Sequence, residues 1–364
     1  MPPHIPKPFP PERLQLESLA ALIGRANACL ARYDGLLESL VNPEVLLSPL
    51  LMKEAELSSR IEGTVATANE VYKQEAGEEF EPEKEADIFE IINYRHTLRV
   101  AGGAIRKDPI SLHLIRQMHT NLMQGVRGQD KNPGRFRTRQ NWIGPKRSTI
   151  EQATYVPPPH MLLDELLESF SDFVNLVDDN LDPLVQAALI HAQFELIHPF
   201  DDGNGRIGRL LIPLFLTKRE CLVGPSLYLS QYLESHRDAY YDALLGISRD
   251  GNWIGWVQFF LTALLAQAEN NLRLVRKIRD LYESKKHEIT KLLRSDRAIH
   301  ILDFIFDRPV FRAAELHTRL GIQRQRAASY IRTLRKAKFV GELRRASGRK
   351  AAMLSFDALF EITN

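Results

Sequence analysis

Two stretches of this chain are apolar on every helical face, and a short polar loop separates them. They span residues 184–197 and 207–216, and the loop between them reads His198-Pro199-Phe200-Asp201-Asp202-Gly203-Asn204-Gly205-Arg206. Helices without a polar face occur at the centre of a domain, where neighbours cover every side. The sequence therefore predicts a mainly α-helical protein in which two central helices hold a polar loop.

The loop and the first turn of the second helix carry groups that suit an anion. Arg206 and Arg209 are three residues apart and share one helical face, at the end where the macrodipole already places positive charge. Two cations are unfavourable there unless an anion binds to them and to the free backbone N–H groups. Gly203 and Gly205 would let a phosphate approach the backbone closely, and Asn204 would add a side-chain donor.

Two further groups beside this anion site indicate chemistry. His198 ends the preceding helix, where a neutral imidazole could accept a proton from an attacking hydroxyl. Asp202 is a single carboxylate, which suits Mg²⁺ because that ion usually completes its coordination with phosphate oxygens and water. A calcium loop is excluded, because Gly203 and Gly205 stand where ligands are required. Each feature alone is more often structural, whereas their occurrence within twelve residues favours a catalytic site.

These residues resemble the motif of the Fic family, His-Pro-Phe-x-[Asp/Glu]-Gly-Asn-Gly-Arg-x-x-Arg, and every defined position is matched. The resemblance extends over most of residues 85–270 and implies a Fic-type helical core with a β-hairpin flap. It also implies transfer of AMP from ATP, with Mg²⁺, to Ser, Thr or Tyr hydroxyls of a target protein or of the chain itself, with release of pyrophosphate. Doc-type relatives that transfer phosphate carry a Lys where this chain has Arg206, which favours AMP transfer here.

The resemblance assigns roles to individual positions. His198 matches the general base and Asp202 the metal-binding residue. The positions that match or adjoin the ATP contacts are Gly203, Asn204, Gly205, Arg206, Ile207, Gly208, Arg209 and Tyr240, of which Tyr240 has helix packing as an equally supported role. In the expected flap, residues 127–159, the β-prone pieces are 140–143 and 153–156, and Ile143 and Gly144 are expected to contact target and nucleotide.

A second motif precedes the core. Residues 58–63 read Ser-Ser-Arg-Ile-Glu-Gly and resemble the [Ser/Thr]-x-x-x-Glu-[Gly/Asn] inhibitory motif of some Fic proteins. Ser58 and Glu62 are four residues apart, so a helix places both on one face, and Gly63 would end that helix. The resemblance implies that Glu62 pairs with Arg209 and occupies the space of the ATP γ-phosphate. An ordinary surface helix is the structural alternative.

The C-terminal region differs from the rest in charge. Residues 291–364 contain sixteen Lys and Arg against seven Asp and Glu, which leaves 32 basic and 39 acidic residues before them. This asymmetry suggests a separate partner, and residues 311–354 resemble a small winged helix-turn-helix domain. Protein docking and dimerisation are the alternatives to DNA binding. The residues that could meet DNA phosphates are Gln323, Arg324, Arg326, Arg332, Arg335, Arg344, Arg345, Arg349 and Lys350.

The expected organisation is an N-terminal helical region with the inhibitory motif (1–84), a Fic core (85–270), a connecting helix (271–290) and the basic domain (291–364). Two cysteines, no signal-peptide pattern and no apolar run of roughly 18 residues predict a soluble cytoplasmic protein without membrane contact. The expected partners are ATP, a hydroxyl-bearing protein and DNA, and a homodimer is left open. A DNA-binding regulator that senses nucleotide through a Fic core is the second hypothesis, but His198 favours an enzyme because a sensor needs no base.

Overall fold

The computed structural model describes residues 2–12, 14–126, 130–145, 148–178, 180–347 and 351–363, and it is mainly α-helical as predicted. The helices up to residue 293 are α1 (Ala20–Glu38), α2 (Pro43–Ile61), α3 (Ala68–Glu75), α4 (Pro82–Ala104), α5 (Leu112–Leu122), α6 (Leu163–Asn175), α7 (Pro183–Ile197), α8 (Asn204–Lys218), α9 (Ser230–Ser235), α10 (Arg237–Asp250) and α11 (Trp253–Leu293). Short 3₁₀ turns are Leu16–Leu19, Ile150–Gln152 and His160–Leu162. Within these described ranges, no helix combines the length and apolar character that a membrane crossing requires.

The two central helices are α7 and α8, and they pack against each other as their sequences predict. Asp182 begins α7, because its Oδ1 accepts a hydrogen bond of 2.8 Å from the Leu184 N–H and Pro183 follows at the first helical position. Every residue of α7 after Pro183 is buried except Glu195. Both ends of the polar loop are therefore anchored in the core, which fixes the place of the side chains between them.

The helix α2 lies between the central helices and the C-terminal elements. On its inner side Glu54 accepts hydrogen bonds from the Ser230 hydroxyl at 2.6 Å and the Tyr94 hydroxyl at 3.0 Å. On another side the Ser48 hydroxyl donates to Asp307 at 2.8 Å. This packing holds the end of α2 against the start of α8.

The helix α11 is a single element of 41 residues, so the expected boundary at residue 270 falls inside it. Its length is about 60 Å at 1.5 Å per residue. No Pro interrupts the sequence, and buried apolar side chains continue from Trp256 to Leu293. The predicted connecting helix 271–290 is thus the second half of a helix that begins beside the catalytic motif.

The C-terminal elements occur where the sequence predicted a helix, a turn and a second helix. They are α12 (Ala298–Asp307), β1 (Val310–Arg312), α13 (Ala313–Leu320), α14 (Arg324–Lys336), β2 (Gly341–Arg344), β3 (Met353–Ser355) and α15 (Asp357–Thr363). The strands form an antiparallel sheet of order β1-β3-β2, in which Phe311 pairs with Leu354 and Glu342 also pairs with Leu354. Arg349 and Lys350 of the expected wing lie outside the described residues. We call residues 298–363 the C-terminal unit.

The expected flap hairpin is reduced to one antiparallel bridge between Ile143 and Tyr155 in the described part of this segment. The Ile143 N–H donates to the Tyr155 carbonyl at 2.8 Å. Prolines at positions 145 and 157–159 remove the N–H donors that a longer ladder needs. Residues 127–129 and 146–147 of the expected flap lie outside the described residues.

The contact between α7 and α11 yields a stability prediction. Trp256 is fully buried, and its Nε1 donates to the Ala188 carbonyl at 2.8 Å. Trp256→Phe should lower the free energy of unfolding by roughly 0.5–1.5 kcal/mol, because it removes this hydrogen bond while the Ala188 carbonyl keeps its helical partner. Trp256→Ala should cost about 3–5 kcal/mol, because it also opens a cavity. Urea unfolding of both variants tests this, and an unchanged stability of Trp256→Phe would show that the hydrogen bond contributes nothing.

Candidate active site

His198 is held in a left-handed backbone conformation at the end of α7, with φ 49° and ψ 61°. Its N–H donates to the Phe194 carbonyl at 3.0 Å, and its carbonyl accepts from the Arg137 Nε at 3.0 Å. Arg137 is buried and also donates to the Pro158 carbonyl at 2.6 Å. Sequence reasoning assigned no role to Arg137. Its side chain joins the base of the flap to the backbone of the candidate base.

The imidazole of His198 is neutral at physiological pH. Burial lowers its pKa to about 4, although the Glu195 carbonyl and the Glu62 carboxylate oppose this change. A neutral imidazole can accept a proton, which is the first requirement of a general base. The predicted role of His198 is therefore chemically available in this structure.

Two groups hold the loop after His198 in place: the side-chain amide of Asn204, which belongs to the loop, and His119 from α5. Asn204 receives the Phe200 N–H at its Oδ1 and donates its Nδ2 to the Phe200 carbonyl, both at 2.8 Å. Both of its polar atoms therefore brace the loop, and the predicted contact with phosphate would use the second N–H of the amide. Gly203, at φ 78°, makes the turn into α8.

His119 was missed by sequence reasoning, because a histidine among the core positions of α5 gives no local signal of function. Its ring stacks on Phe200 at a centroid distance of 3.8 Å and an interplanar angle of 2°. Its Nδ1 accepts from the Gly134 N–H at 2.8 Å, so the Nε2 is the donor to the Asp202 carbonyl at 2.9 Å. His119 therefore fixes the backbone of the predicted metal-binding residue.

The carboxylate of Asp202 points partly to solvent, with 45% of its side chain exposed. Its Oδ1 accepts from the Gly203 N–H at 2.6 Å and lies 3.6 Å from the Arg206 Nη2. Among the described residues, no group of three or more His, Cys, Asp or Glu side chains could form a complete metal cage. A half-exposed single carboxylate fits an ion that takes its remaining ligands from phosphate and water.

Arg206 is buried and lies among groups from α4 and α5. Its Nη1 is 3.3 Å from the Glu90 Oε2, and only 3% of its side chain is exposed. Its Nη2 is 3.7 Å from the Met123 sulfur. The Thr64 hydroxyl donates to the same Glu90 carboxylate. Through Glu90, Arg206 is connected to the segment that follows the inhibitory motif.

Arg209 is occupied by the inhibitory motif. Its Nε donates to the Ser58 hydroxyl at 2.8 Å, and its Nη2 donates to the Ser58 carbonyl at 2.9 Å and to the Glu62 Oε1 at 2.7 Å. Gly63 follows at φ 96° and turns the chain away from α2. The structure thus brings together Ser58, Glu62 and Arg209 as the spacing and the resemblance implied. We call the Glu62–Arg209 contact the latch.

The Glu62 carboxylate lies where the sequence predicts an anion. A Cβ placed on Gly205 would collide with the Glu62 Oε1, so the oxygen sits directly against the first turn of α8. Burial raises the pKa of Glu62, but Arg209 and Arg206 together outweigh it, and the pKa lies below its usual value. The ionised form therefore occupies this position at neutral pH.

Three of the predicted ATP-contact residues have partners within the protein. The Ile207 N–H is already bonded to the Gly203 carbonyl at 3.1 Å, and its side chain is fully buried. A Cβ on Gly208 would lie 2.5 Å from the Glu195 Oε1, so this glycine serves close packing. Tyr240 is 1% exposed. Its hydroxyl lies 2.9 Å from the His191 Nε2, which supports the packing alternative.

The predicted flap residues Ile143 and Gly144 are accessible to solvent. Their neighbour Asn141 joins this part of the flap to the loop that follows His198. Ile143 is 36% exposed, and Gly144 is exposed as well. The Asn141 Nδ2 donates to the Phe200 carbonyl at 3.0 Å, which ties the flap to the motif loop. The Asn141 hydrogen bond ties the flap to the loop without any contact of Ile143 or Gly144 with Glu62 or Arg209.

Two family models match consecutive parts of the chain and together cover just over half of it. Residues 20–102 match the Fic/DOC family N-terminal model, and residues 109–216 match the Fic/DOC family model. The chain belongs to the Fic/DOC family. Both the inhibitory motif and the catalytic motif lie inside the matched ranges, so this Fic protein carries its latch within the family's own N-terminal region.

Curated relatives are named for one activity. The Fic chain is 32% identical over 115 residues to the protein adenylyltransferase fic-1 of Caenorhabditis elegans, covering 30% of this chain and 20% of that protein. It is 26% identical over 178 residues to a probable protein adenylyltransferase of Aquifex aeolicus (strain VF5), covering 46% and 52%. The chain thus spans between a fifth and about half of these two relatives.

Solved structures share the fold. A Fic family protein from Desulfovibrio desulfuricans G20 superposes with a TM-score of 0.58 at 20% identity, covering 96% of this chain and 98% of that one. A fragment of Fic-1 from C. elegans gives a TM-score of 0.55 at 20% identity, covering 71% and 74%. The first of these similarities includes the C-terminal unit, because it covers nearly the whole chain.

The low pKa of His198 can be measured without turnover. Because burial lowers the pKa to about 4, the imidazole should remain neutral as the pH falls from 8 through 6.5, where an exposed histidine becomes half protonated. NMR titration of ¹⁵N-histidine-labelled protein should show this, with His198→Ala identifying the signal. A midpoint near 6.5 for His198 would contradict the buried, neutral base.

Proposed function

We propose that this Fic protein is a protein adenylyltransferase, which transfers AMP from ATP to a Ser, Thr or Tyr hydroxyl and is autoinhibited by Glu62. The names of the curated relatives support the general reaction. The intact motif and the neutral imidazole of His198 support activity of this chain. The hydroxyl class and the autoinhibition rest on the resemblance and on the contacts described above.

The observation that carries the proposal is the position of the Glu62 carboxylate at the start of α8. A carboxylate against Gly205 and Arg209 supports an anion site in that place, because its charge and hydrogen bonds match those of a phosphate oxygen. Helix N-termini bind both groups for the same reason. The outer phosphate of ATP and the Glu62 carboxylate would therefore compete for one position.

The reaction follows from these groups. His198 removes the proton from the attacking hydroxyl, whose oxygen forms a bond to the α-phosphorus while the bond to the bridging oxygen of pyrophosphate breaks. Pyrophosphate leaves with the electron pair, and AMP remains on the protein. The N–H groups at the start of α8 and the Arg209 guanidinium stabilise the charge that collects on the departing phosphates.

Asp202 is the residue that would hold Mg²⁺. Bound there, the ion would neutralise phosphate charge, and its remaining ligands would be phosphate oxygens and water. Gly203 and His119 keep this side chain in place through the contacts of its Oδ1 and its backbone carbonyl. The protein's own contribution is thus one oriented carboxylate rather than a closed cage.

Glu62 would restrain the reaction by competition rather than by distorting the base. Its side chain remains 34% exposed, so solvent can reach the latch and weaken it. Ser58, by contrast, stays bonded to Arg209 through both its hydroxyl and its carbonyl. Displacement of Glu62 alone would therefore free one face of the Arg209 guanidinium while the rest of α2 stays packed.

A DNA-binding regulator is the second candidate function, and one observation favours it. The side chains of Arg324, Arg326 and Arg332 are exposed on α14. A regulator of this kind would need nucleotide binding but no proton acceptor, so His198→Ala would leave it intact. The neutral, positioned His198 is the reason that we place the enzyme first.

Removal of the latch should raise activity. A charge-assisted hydrogen bond contributes roughly 1.5–3 kcal/mol, and the exposure of Glu62 discounts this toward the lower end. Glu62→Gly should therefore increase AMP transfer about tenfold, measured as incorporation of α-labelled ATP into protein. His198→Ala in the same chain should abolish the gain while leaving ATP affinity nearly unchanged.

The matched control is Glu38→Gly, at the exposed end of α1, which removes the same side chain from the end of a helix far from Arg209. It should behave as the wild type. If Glu62→Gly and Glu38→Gly transfer AMP at the same rate, the latch does not restrain the enzyme. Transfer that survives His198→Ala would instead refute the assigned base.

The metal assignment is tested in the activated chain. Asp202→Ala in the Glu62→Gly background should lose transfer activity together with the response to added Mg²⁺, because the neighbouring Asp201 carboxylate is directed to Asn132 and Arg139. Asp201→Ala is the neighbouring control and should keep both. Isothermal titration of MnATP provides the binding readout, and full Mg²⁺-dependent turnover of Asp202→Ala would place the metal elsewhere.

A further inference from the structure

The C-terminal unit contacts the segment that follows the latch, and the two carry charges of opposite sign. Residues 75–85 contain six Glu and one Lys; we call them the acidic segment. Arg344 on β2 donates to Glu78 at 3.0 Å, and Arg308 lies 3.5 Å from Glu75. The acidic segment thus neutralises part of the positive charge of the C-terminal unit within the molecule.

The acidic segment is mechanically close to the latch. It follows α3, whose cap Thr67 is only five residues after Glu62. The Ala68 N–H at the start of α3 donates to Glu56 on α2 at 3.3 Å. Because so few residues connect Glu62 to α3, a displacement of α3 would be transmitted to Glu62 with little absorbed by the connecting chain.

The C-terminal unit restrains α3 through apolar contact as well. Tyr72 on α3 meets Phe360 on α15 edge-on, with ring centroids 6.0 Å apart. The strand β1 also packs on α3. The position of α3 thus depends on a unit that lies outside both family-matched ranges.

Several basic side chains of this unit remain open to a partner. Those on α14 are Arg324, Arg326, Arg332 and Lys336, which are exposed, whereas Arg335 pairs with Glu342 at 2.7 Å. Guanidinium groups bind phosphate in a bidentate way, and a helix that follows a short turn can present them to the repeating phosphates of a duplex. An array of phosphates would compete with Glu78 for Arg344, because both are anions for one guanidinium.

We propose that the C-terminal unit binds the phosphate backbone of duplex nucleic acid through α14 and Arg344, and that this binding takes Arg344 from Glu78 and loosens the latch. The regulatory half of this proposal rests on the proposed function. Glu78 and Arg344 are 30% and 29% exposed, and exposed ion pairs are weak. The coupling should therefore be modest, about two- to fivefold.

Hydrogen exchange tests the coupling without any turnover. The full chain is mixed with a 30-base-pair duplex DNA of mixed sequence at low salt, and exchange is followed in peptides from residues 56–75. We expect exchange to become about two- to fivefold faster with DNA, and DNA affinity to fall steeply as salt rises. Absence of DNA binding, or binding with unchanged exchange in residues 56–75, would overturn the proposal.

Variants distinguish the effect of the Glu78–Arg344 ion pair from the effect of removing any negative charge nearby. Glu78→Gln should raise exchange without DNA and remove most of the response to DNA. Glu83→Gln changes the same charge on the exposed side of α4 and should behave as the wild type. The swap of Glu78→Arg with Arg344→Glu should restore protection. Equal behaviour of Glu78→Gln and Glu83→Gln would show that the pair transmits nothing.

Activity provides the second arm. Protein substrates that Glu62→Gly modifies are offered to the wild type with and without the duplex, and the rate should rise about two- to fivefold. If Glu62→Gly modifies nothing, the proposed function fails while the exchange result still decides the coupling. If Glu62→Gly is active and the wild type ignores bound DNA in both assays, the proposal is wrong and the proposed function stands.

Discussion

Buried positive charge at the start of α8 requires an anion, and much of the surrounding structure satisfies that requirement. Arg206 and Arg209 expose only 3% and 2% of their side chains. Buried guanidinium groups are tolerated only with charged and hydrogen-bonded partners. Glu90 on α4 and Glu62 at the C-terminal end of α2 supply them, so two N-terminal helices are placed around the start of one central helix. Any ligand of this site replaces an anion rather than entering an uncharged space.

The rest of the site is built to keep one loop in one shape. Arg137 and Asn141 bind the backbone carbonyls of His198 and Phe200, and His119 binds that of Asp202. Such contacts fix the donors and the acceptor before a substrate arrives, which is the condition under which electrostatic stabilisation costs no reorganisation. The strained φ of His198 is held by this framework, because a non-glycine residue rarely keeps that conformation by itself.

Local sequence patterns were sufficient to predict the helices and the motif, but not the contacts between residues that are far apart in sequence. The apolar faces of α7 and α8 predicted a buried pair, and the spacing of Ser58 and Glu62 predicted a shared face. The short polar helix α3 was missed because it has no long apolar stripe. Glu90 could not be found, because its pairing with Arg206 follows from the packing of α4 and not from its neighbours in sequence.

The same limit applies to two side chains whose packing contacts local sequence does not reveal. Asn204 bonds both backbone groups of Phe200 through its Oδ1 and Nδ2. Tyr240 is buried, and its hydroxyl lies beside His191. In each case the residue type allows a ligand contact and a packing contact, and the packing contact is visible only in three dimensions.

In the latch, Glu62 precedes its partner Arg209 in the chain, and this order matters during synthesis. Glu62 and Arg209 are 147 residues apart. At about 5–20 residues per second, the ribosome adds Arg209 roughly 7–30 s after Glu62. The Glu62 carboxylate is therefore already available when the central helices assemble. The Arg209 guanidinium finds its partner already made when α8 packs, so it need not be buried without a counter-charge.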